Sequence, residues 1–592
     1  MFKRHRSVLH HLINPLSVEF SGSAPHHLSR SRLITSAMSG LFMSLIMNAA
    51  CQPHSQPRSR ARADDVDPVM SVEDHAEQSS RNRRQGQPLT AREIFTRASL
   101  DLRGTRPSVI ELEAISNDPD QLEIRLDELV EGPQFLDRVK TMFAPAFRTL
   151  IDTYDLEGDE RLDELSGAIG EEPLNLIAYL VEHDLPYTEL VTASYTVVDP
   201  RLLDLWPLSA LDESPEASGA LTVATYHDGR PMSGVLSMNA MWWRHTSTLE
   251  NANRGRANAL SQALLCQSWL DRPVNFPTDV DLTDTESMNH AIKTNPACTA
   301  CHATLDPLAS YLWGFMNELE DADSRTRYQL RQELRWQQTT QAAPAYFGQR
   351  GHSLYDLGHQ IAADPRFVTC AVRRVYEALL GRRATLDDEG ALIPHREAFI
   401  SSGLNLKRLV RSMINDPLYR NHDAQITYGG RARPVTLKLL GASLLASDLE
   451  SLTGYTPSVN QRSLLSLDTG LRALAGGSDR GEAYIPSTSL LLTHFRLAEG
   501  AAWRLVHEDE IHDVGGLIGQ QLSEVDLSSP PTRDLIEKLW ILATSREVDI
   551  ESREIDQLMS LVELIRSETD EPSQVWTGLL TAILADPSRL MY

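Results

Sequence analysis

Residues 406–417 read Leu406-Lys-Arg-Leu-Val-Arg-Ser-Met-Ile-Asn-Asp-Pro417, and this stretch decides the fold class. Leu406, Leu409, Val410, Met413 and Ile414 fall at i, i+3, i+4, i+7 and i+8, the apolar stripe of a 3.6-residue helix. Asp416-Pro417 then ends it, because proline lacks an N–H and disfavours helical backbone in the residue before it. Near the C-terminus Trp576, Leu579, Leu580, Ile583 and Leu584 repeat the spacing, and Asp586-Pro587 repeats the stop. Earlier, Leu122, Leu126, Leu129 and Val130 share one face that ends at Gly132-Pro133. Each helix follows a basic or polar turn and an acidic helix start. The turns are Arg103-Gly104-Thr-Arg-Pro107, Gly381-Arg-Arg383 with Thr385 to Glu389, and Ser545-Arg546 with Asp549 to Glu554. Three related helical-hairpin modules explain this pattern. The competing explanation is that three ordinary amphipathic helices arose independently. Strand signals are few: Val191 to Val198, and Leu221 to Tyr226 turning at Asp228-Gly229. The class is therefore mainly α, several helical-hairpin modules with a small β element before residue 298.

Further upstream, Thr90-x-x-Glu93 is a capping-box pattern followed by Ile94, Phe95 and Ala98, so ordered structure is expected to begin at Thr90. Residues 52–89 are rich in Gln, Ser, Arg, Asp and Pro with almost no apolar content, the composition of a disordered tether. Before that, Arg30 and Arg32 precede the apolar run Leu33 to Ala50, which ends in small residues beside Cys51. This reads as an export signal, with Cys51 in the place of a lipoprotein's lipidated cysteine. The leucine usual three residues earlier is Asn48. Ordinary secretion and an uncleaved anchor are the other readings, and all three place the body outside the cytoplasm. A periplasmic, outer-membrane or cell-surface lipoprotein, held to the membrane by lipid alone, is expected.

With 592 residues the chain exceeds one core. Lys plus Arg total 56 against 81 Asp plus Glu, a net charge of −25, which argues against a nucleic-acid partner. The expected organisation is 1–51 signal and lipobox, 52–89 tether, 90–189 N-terminal helical domain, 190–320 a domain around the segment Cys298-Thr-Ala-Cys301-His302, 321–424 a helical domain packing on it, and 425–592 a C-terminal helical domain without a chemical motif.

A haem assignment rests on Cys298-Thr-Ala-Cys301-His302. C-x-x-C-H is the spacing of c-type haem attachment: two thiols add to the porphyrin vinyl groups and the adjacent imidazole reaches the iron. From 5 cysteines and 19 histidines, chance gives the pattern roughly once in a thousand such chains. A thioredoxin-like pair and half of a zinc site are the other readings. No second C-x-x-C or H-x-x-x-H stands at finger spacing, and the surroundings are no βαβ unit. One covalent haem c is expected, with Cys298 and Cys301 as attachments and His302 as proximal ligand. After Cys51 this leaves Cys266 and Cys370, which an oxidising compartment would allow to pair; two free buried thiols are the alternative.

Around the motif stand Gly234-Val-Leu-Ser-Met-Asn-Ala-Met241, Asn253-Arg-Gly-Arg256, Leu264-Leu-Cys-Gln267, Asn295-Pro296 and Asp306-Pro307-Leu308. This succession resembles the planctomycete and myxobacterial cytochrome-like multi-domain proteins, whose pattern runs GLLT, an Arg-Gly before a helix, LLCQ, NP-x-C-x-x-C-H and DPLGFALE. Phe367 to Tyr376 with Leu379-Leu-Gly-Arg382 looks like their C-terminal domain, and Leu100 to Pro107 is similar to their N-terminal one. The resemblance covers about residues 90 to 420 and implies an exported c-type haem protein of unsettled activity. Here DPLGFALE becomes Asp306-Pro-Leu-Ala-Ser-Tyr-Leu-Trp313, and the proline-rich stretch after LLCQ shrinks to Arg272-Pro273 and Pro277.

Roles follow from chemistry. A backbone carbonyl near Pro307 is expected to hold the second nitrogen of His302. Trp313 and Phe315 are candidates to pack on the porphyrin, with ordinary core aromatics as the alternative. Arg254 and Arg256 are candidates for its propionates, with solvated surface arginines as the alternative. The distal ligand is open among Met238, Met241, Met316 and His352. No Ser-His-Asp order, phosphate loop or H-E-x-x-H is present, so nothing points to a hydrolase or nucleotide enzyme. Three functions remain in play. The first is electron transfer or redox relay at the cell envelope with a redox partner protein. The second is a haem-dependent peroxidase or oxidase, or a redox component of extracellular substrate degradation. The third is a non-catalytic binding lipoprotein. Whether the chain is an enzyme stays open at this point.

Overall fold

The computed structural model describes residues 88–592 except 152, 155–160, 212–220, 272–279, 282, 317–326, 422–423, 429–430, 436–437, 460–461, 464–472, 474–476, 478–485 and 509–515. All of them lie in the unit Ser71–Tyr592. The expectations for the signal, Cys51 and most of the tether fall outside the described residues.

The architecture is mainly α. Helix α1, Ala91–Leu102, starts where the sequence places it: Thr90 accepts from the Glu93 N–H while the Glu93 carboxylate accepts from the Thr90 N–H. Helices α2 (Val109–Asn117), α3 (Leu122–Glu131), α4 (Gln134–Phe147) and α5 (Arg161–Glu182) follow. The face of α3 that is buried comprises Leu122, Leu126, Leu129 and Val130, the expected stripe. After α5 come three short antiparallel strands, β1 (Thr196–Val198), β2 (Leu208–Ala210) and β3 (Thr222–Tyr226), in the order β1-β3-β2. The strand expected from Val191 begins only at Thr196, because Glu189–Thr192 closes a helical turn in which the Ala193 N–H donates to the Glu189 carbonyl. Local β preference yields there to the chain's need to turn into the sheet. Strand β2 has no counterpart in the sequence reading.

The sheet is tied to α5 by Glu172, which is fully buried. Its carboxyl accepts from Thr196 Oγ1 at 3.1 Å, Tyr226 Oη at 2.8 Å and the Ala240 N–H at 3.1 Å. Burial raises its pKa to about 7. Helices α6 (Arg254–Leu265), α7 (Thr285–Thr294) and α8 (Pro296–Ala309) form the central segment, with α8 packed on both α6 and α7. Helices α9 (Pro365–Leu380), α10 (Glu389–Ser401) and α11 (Leu406–Ile414) come next. The α11 face that is buried carries Leu406, Leu409, Val410, Met413 and Ile414. Buried apolar residues from Leu89 to Tyr419 make one continuous cluster across these segments.

The C-terminal helices are α12 (Ala442–Thr453), α13 (Thr488–His507), α14 (Arg533–Thr544), α15 (Arg553–Glu568) and α16 (Pro572–Leu584). Trp576, Leu579, Leu580, Ile583 and Leu584 of α16 are all buried. Two buried polar clusters join these helices to the N-terminal hairpin. Asp448 accepts from Arg106 Nε at 3.1 Å and Arg589 Nη2 at 2.7 Å, all three side chains being almost wholly enclosed. Asp101 binds Lys438 and accepts from Tyr419 Oη at 2.8 Å and Tyr592 Oη at 2.7 Å.

The first two hairpins share a device. Arg103 reaches the Glu111 carboxylate with two nitrogens, at 2.8 and 3.1 Å, and Arg382 does the same to Asp388, at 2.8 and 2.8 Å. Each acid is the third residue of a capping box, begun by Ser108 and by Thr385. The third hairpin keeps the left-handed cap, at Ser545, but Arg546 turns to the Met591 carbonyl instead. The Asp-Pro pairs act as stop and start together: Asp416 and Asp586 accept from the N–H of Leu418 and Ser588, opening the next short helix.

Candidate functional site

Helix α8 begins at Pro296: the Asn295 side chain accepts from the Ala297 N–H at 3.0 Å and Pro296 occupies the first turn, where no N–H is needed. Cys298, Cys301 and His302 therefore stand at i, i+3 and i+4 on one face of the helix. Both thiols are unpaired and half-buried, and Cys301 packs against the apolar cluster. The His302 side chain is 24% exposed. The three residues are thus partly open to solvent.

The other two cysteines among the described residues form a disulfide, Cys266–Cys370, with α-carbons 5.3 Å apart. Cys266 is the left-handed cap of α6 (φ 52°) and Cys370 lies on α9, so the bond pins the end of α6 to α9. The cysteines of the C-x-x-C-H segment stay as thiols, the form that thioether attachment requires.

His302 is held differently from expectation. The acceptor for Nδ1 is no backbone carbonyl near Pro307 but the carboxylate of Asp306, at 2.9 Å from its Oδ1. Residues i and i+4 face each other on a helix surface, whereas main-chain carbonyls point along the axis, so the side chain wins. With a carboxylate at Nδ1 that nitrogen carries the hydrogen, and the Nε2 lone pair is left for a ligand. Asp306 is buried and clamped by Arg254 at the start of α6, Nε to Oδ1 at 2.7 Å and Nη2 to Oδ2 at 3.0 Å. Burial pushes the Asp306 carboxyl upward, but His302 and Arg254 outweigh it and hold the group below the usual carboxylate range.

The arginines expected at propionates are therefore engaged elsewhere. Arg254 is bound to Asp306. Arg256 is enclosed, donating to the carbonyls of His245, Trp242 and Phe315 and to Asn253 Oδ1. Its burial lowers its pKa to about 9. Trp313 is fully buried with Ala252, Met316 and Trp336. Phe315 lies between Trp242 (5.4 Å between ring centroids) and Tyr328 (4.9 Å). Both are core aromatics. Among the distal candidates Met238, Met241 and Met316 are buried, with Met316 Sδ set 3.9 Å from Arg256 Nη1, and His352 is exposed.

Among the described residues no three His, Cys, Asp or Glu converge on a point that could hold a bare metal ion. The donor set fits haem c: two free, half-buried cysteines at the attachment spacing, and an imidazole whose second nitrogen is already held.

One polar constellation has no sequence signature. His395 Nδ1 lies 2.8 Å from Ser412 Oγ and its Nε2 3.2 Å from Asp416 Oδ2. Ser412 sits inside α11, where the surrounding backbone N–H groups belong to the helix, so no paired donors stand ready for an oxyanion. The group ties α10 to α11. Among the described residues no helix is long and apolar enough to cross a membrane. The chain matches no family model, no curated protein and no solved structure.

Proposed function

We propose that this chain is an exported c-type haem protein that transfers electrons, or relays redox equivalents, at the cell envelope. Cys298 and Cys301 are the thioether attachments of one haem c and His302 is its proximal ligand through Nε2. The observation that carries this reading is the pair of unpaired, half-buried cysteines one turn apart with a fixed imidazole on the same face, while Cys266 and Cys370 are locked together. When bound, the haem supplies one-electron exchange between ferric and ferrous iron. The chain's own residues orient it: Asp306 fixes the ring of His302 and Arg254 fixes Asp306. The resemblance to the planctomycete and myxobacterial cytochrome-like proteins supports the same assignment, and a lipid at Cys51 would be the membrane attachment. A haem-dependent peroxidase or oxidase is the second reading, supported by the carboxylate on His302, since such a partner raises the basicity of an imidazole ligand.

The test is a visible spectrum of the full chain expressed with haem-maturation machinery, before and after dithionite and peroxide. A haem band that survives denaturing extraction, and vanishes in Cys298→Ala/Cys301→Ala, is expected. No band in the parent chain would refute the proposal. A spectrum indifferent to peroxide supports the electron carrier, and a peroxide-dependent change supports the enzyme.

A further inference from the structure

Asp306 sits in an unusual position for a group whose only task is to orient a ring. It is buried, it touches His302 with the same oxygen that receives Arg254 Nε, and its second oxygen receives Arg254 Nη2. Orientation alone needs one neutral acceptor. A charged acceptor does more, because it draws the Nδ1 hydrogen and makes the imidazole a stronger donor through Nε2. The arginine works against that. A guanidinium bound in fork geometry shares the carboxylate's charge and limits how strongly the hydrogen is drawn.

We infer that Arg254, Asp306 and His302 form a tuning chain, in which Asp306 lowers the reduction potential of the iron that His302 ligates and Arg254 raises it again. This inference rests on the haem reading above. Both are positioning residues acting through His302. A strongly donating proximal ligand stabilises ferric over ferrous iron, and the guanidinium on Asp306 sets how far that goes.

The disposition of the chain supports a set geometry. Arg254 opens α6 directly after Asn253, whose backbone is left-handed (φ 63°), and the far end of the same helix is held by the Cys266–Cys370 disulfide. Asp306 precedes Pro307 inside α8, and Ser310 Oγ lies 2.9 Å from the Asp306 carbonyl and 2.7 Å from the Ala342 carbonyl, with one hydrogen to share between them. The two charged groups come from helices fixed at both ends.

The experiment is spectroelectrochemical titration of the haem-loaded full chain, comparing the parent with Asp306→Asn, Arg254→Gln and Arg254→Lys. Asp306→Asn is expected to raise the midpoint and Arg254→Gln to lower it. Each should change the ferrous-to-ferric ratio at fixed potential about tenfold, equivalent to about 59 mV for one electron. Arg254→Lys should fall between Arg254→Gln and the parent. Loosened packing would admit water and lower the potential in every variant, so opposite signs separate tuning from structural damage. Shifts of the same sign, or none, overturn the inference while leaving haem attachment intact. If Asp306→Asn does not fold or load, Asp306→Ser takes its place with the same rise expected, and a fall or an unchanged midpoint in it overturns the inference. A parent chain that takes up no covalent haem refutes the underlying reading instead.

Discussion

The disulfide between Cys266 and Cys370 makes a quantitative demand. It closes a loop of 104 residues, so in the chain-entropy account its loss frees a large unfolded ensemble. For a loop near that length the expected destabilisation is about 4.7 kcal/mol. Cys370 is 2% exposed, so replacing it with alanine adds a small cavity cost of order 1 kcal/mol. Cys266→Ala/Cys370→Ala should therefore lose about 6 kcal/mol in urea unfolding against the unreduced parent. A difference below about 1 kcal/mol would refute the loop-entropy reasoning. Alkylation of the denatured haem-free parent without reductant offers an independent check on the pairing. Cys298 and Cys301 should be labelled and Cys266 and Cys370 protected, and labelling of the latter pair would contradict the bond itself.

Other consequences follow from buried charge and packing. Asp448→Ala leaves Arg106 and Arg589 enclosed without a counter-ion and should cost about 3–5 kcal/mol in the same unfolding assay; a loss under about 1 kcal/mol would mean that water reaches the cluster. Glu172 has a folded pKa near 7 against an ordinary 4.5, so the folded state retains a proton that the unfolded chain releases. Its contribution to stability is present below pH 4.5 and falls by about 3 kcal/mol as pH rises through 7. Glu172→Gln should flatten that decline; an unaltered slope would show that another group titrates. In α11, Leu409 is fully buried, and Leu409→Ala should cost about 2–5 kcal/mol, whereas the same change at the exposed Leu386 should be nearly neutral by thermal unfolding.

What was legible in the chain was local. The stripes of α3, α11 and α16 show in the sequence because a helix repeats its face every 3.6 residues, and Thr90 with Glu93 shows because a capping box spans four positions. The paired sulfurs of Cys266 and Cys370 were open to sequence reading only as the two cysteines that remained. The partners that matter most were out of reach. Arg254 meets Asp306 across 52 residues and Asp448 meets Arg589 across 141, distances that no periodicity encodes. His302 and Asp306 are the exception: an i, i+4 pair on one helix is local, yet the expected acceptor was a backbone carbonyl near Pro307. Helix α8 instead runs through Pro307, and the side chain takes the role. The strand expected from Val191 to Val198 is shortened to Thr196–Val198 for the converse reason. Its β-branched residues favour extension, but the turn at Glu189–Thr192 is set by packing from elsewhere.

Peptide mapping by mass spectrometry of the exported full chain bears most directly on the attachment site. The account predicts that haem, still bonded after denaturation and digestion, is found on the single peptide holding Cys298, Cys301 and His302, with both sulfurs unavailable to alkylation. Recovery of that peptide with two alkylatable thiols and no porphyrin, from cells competent to mature c-type haem, would contradict it.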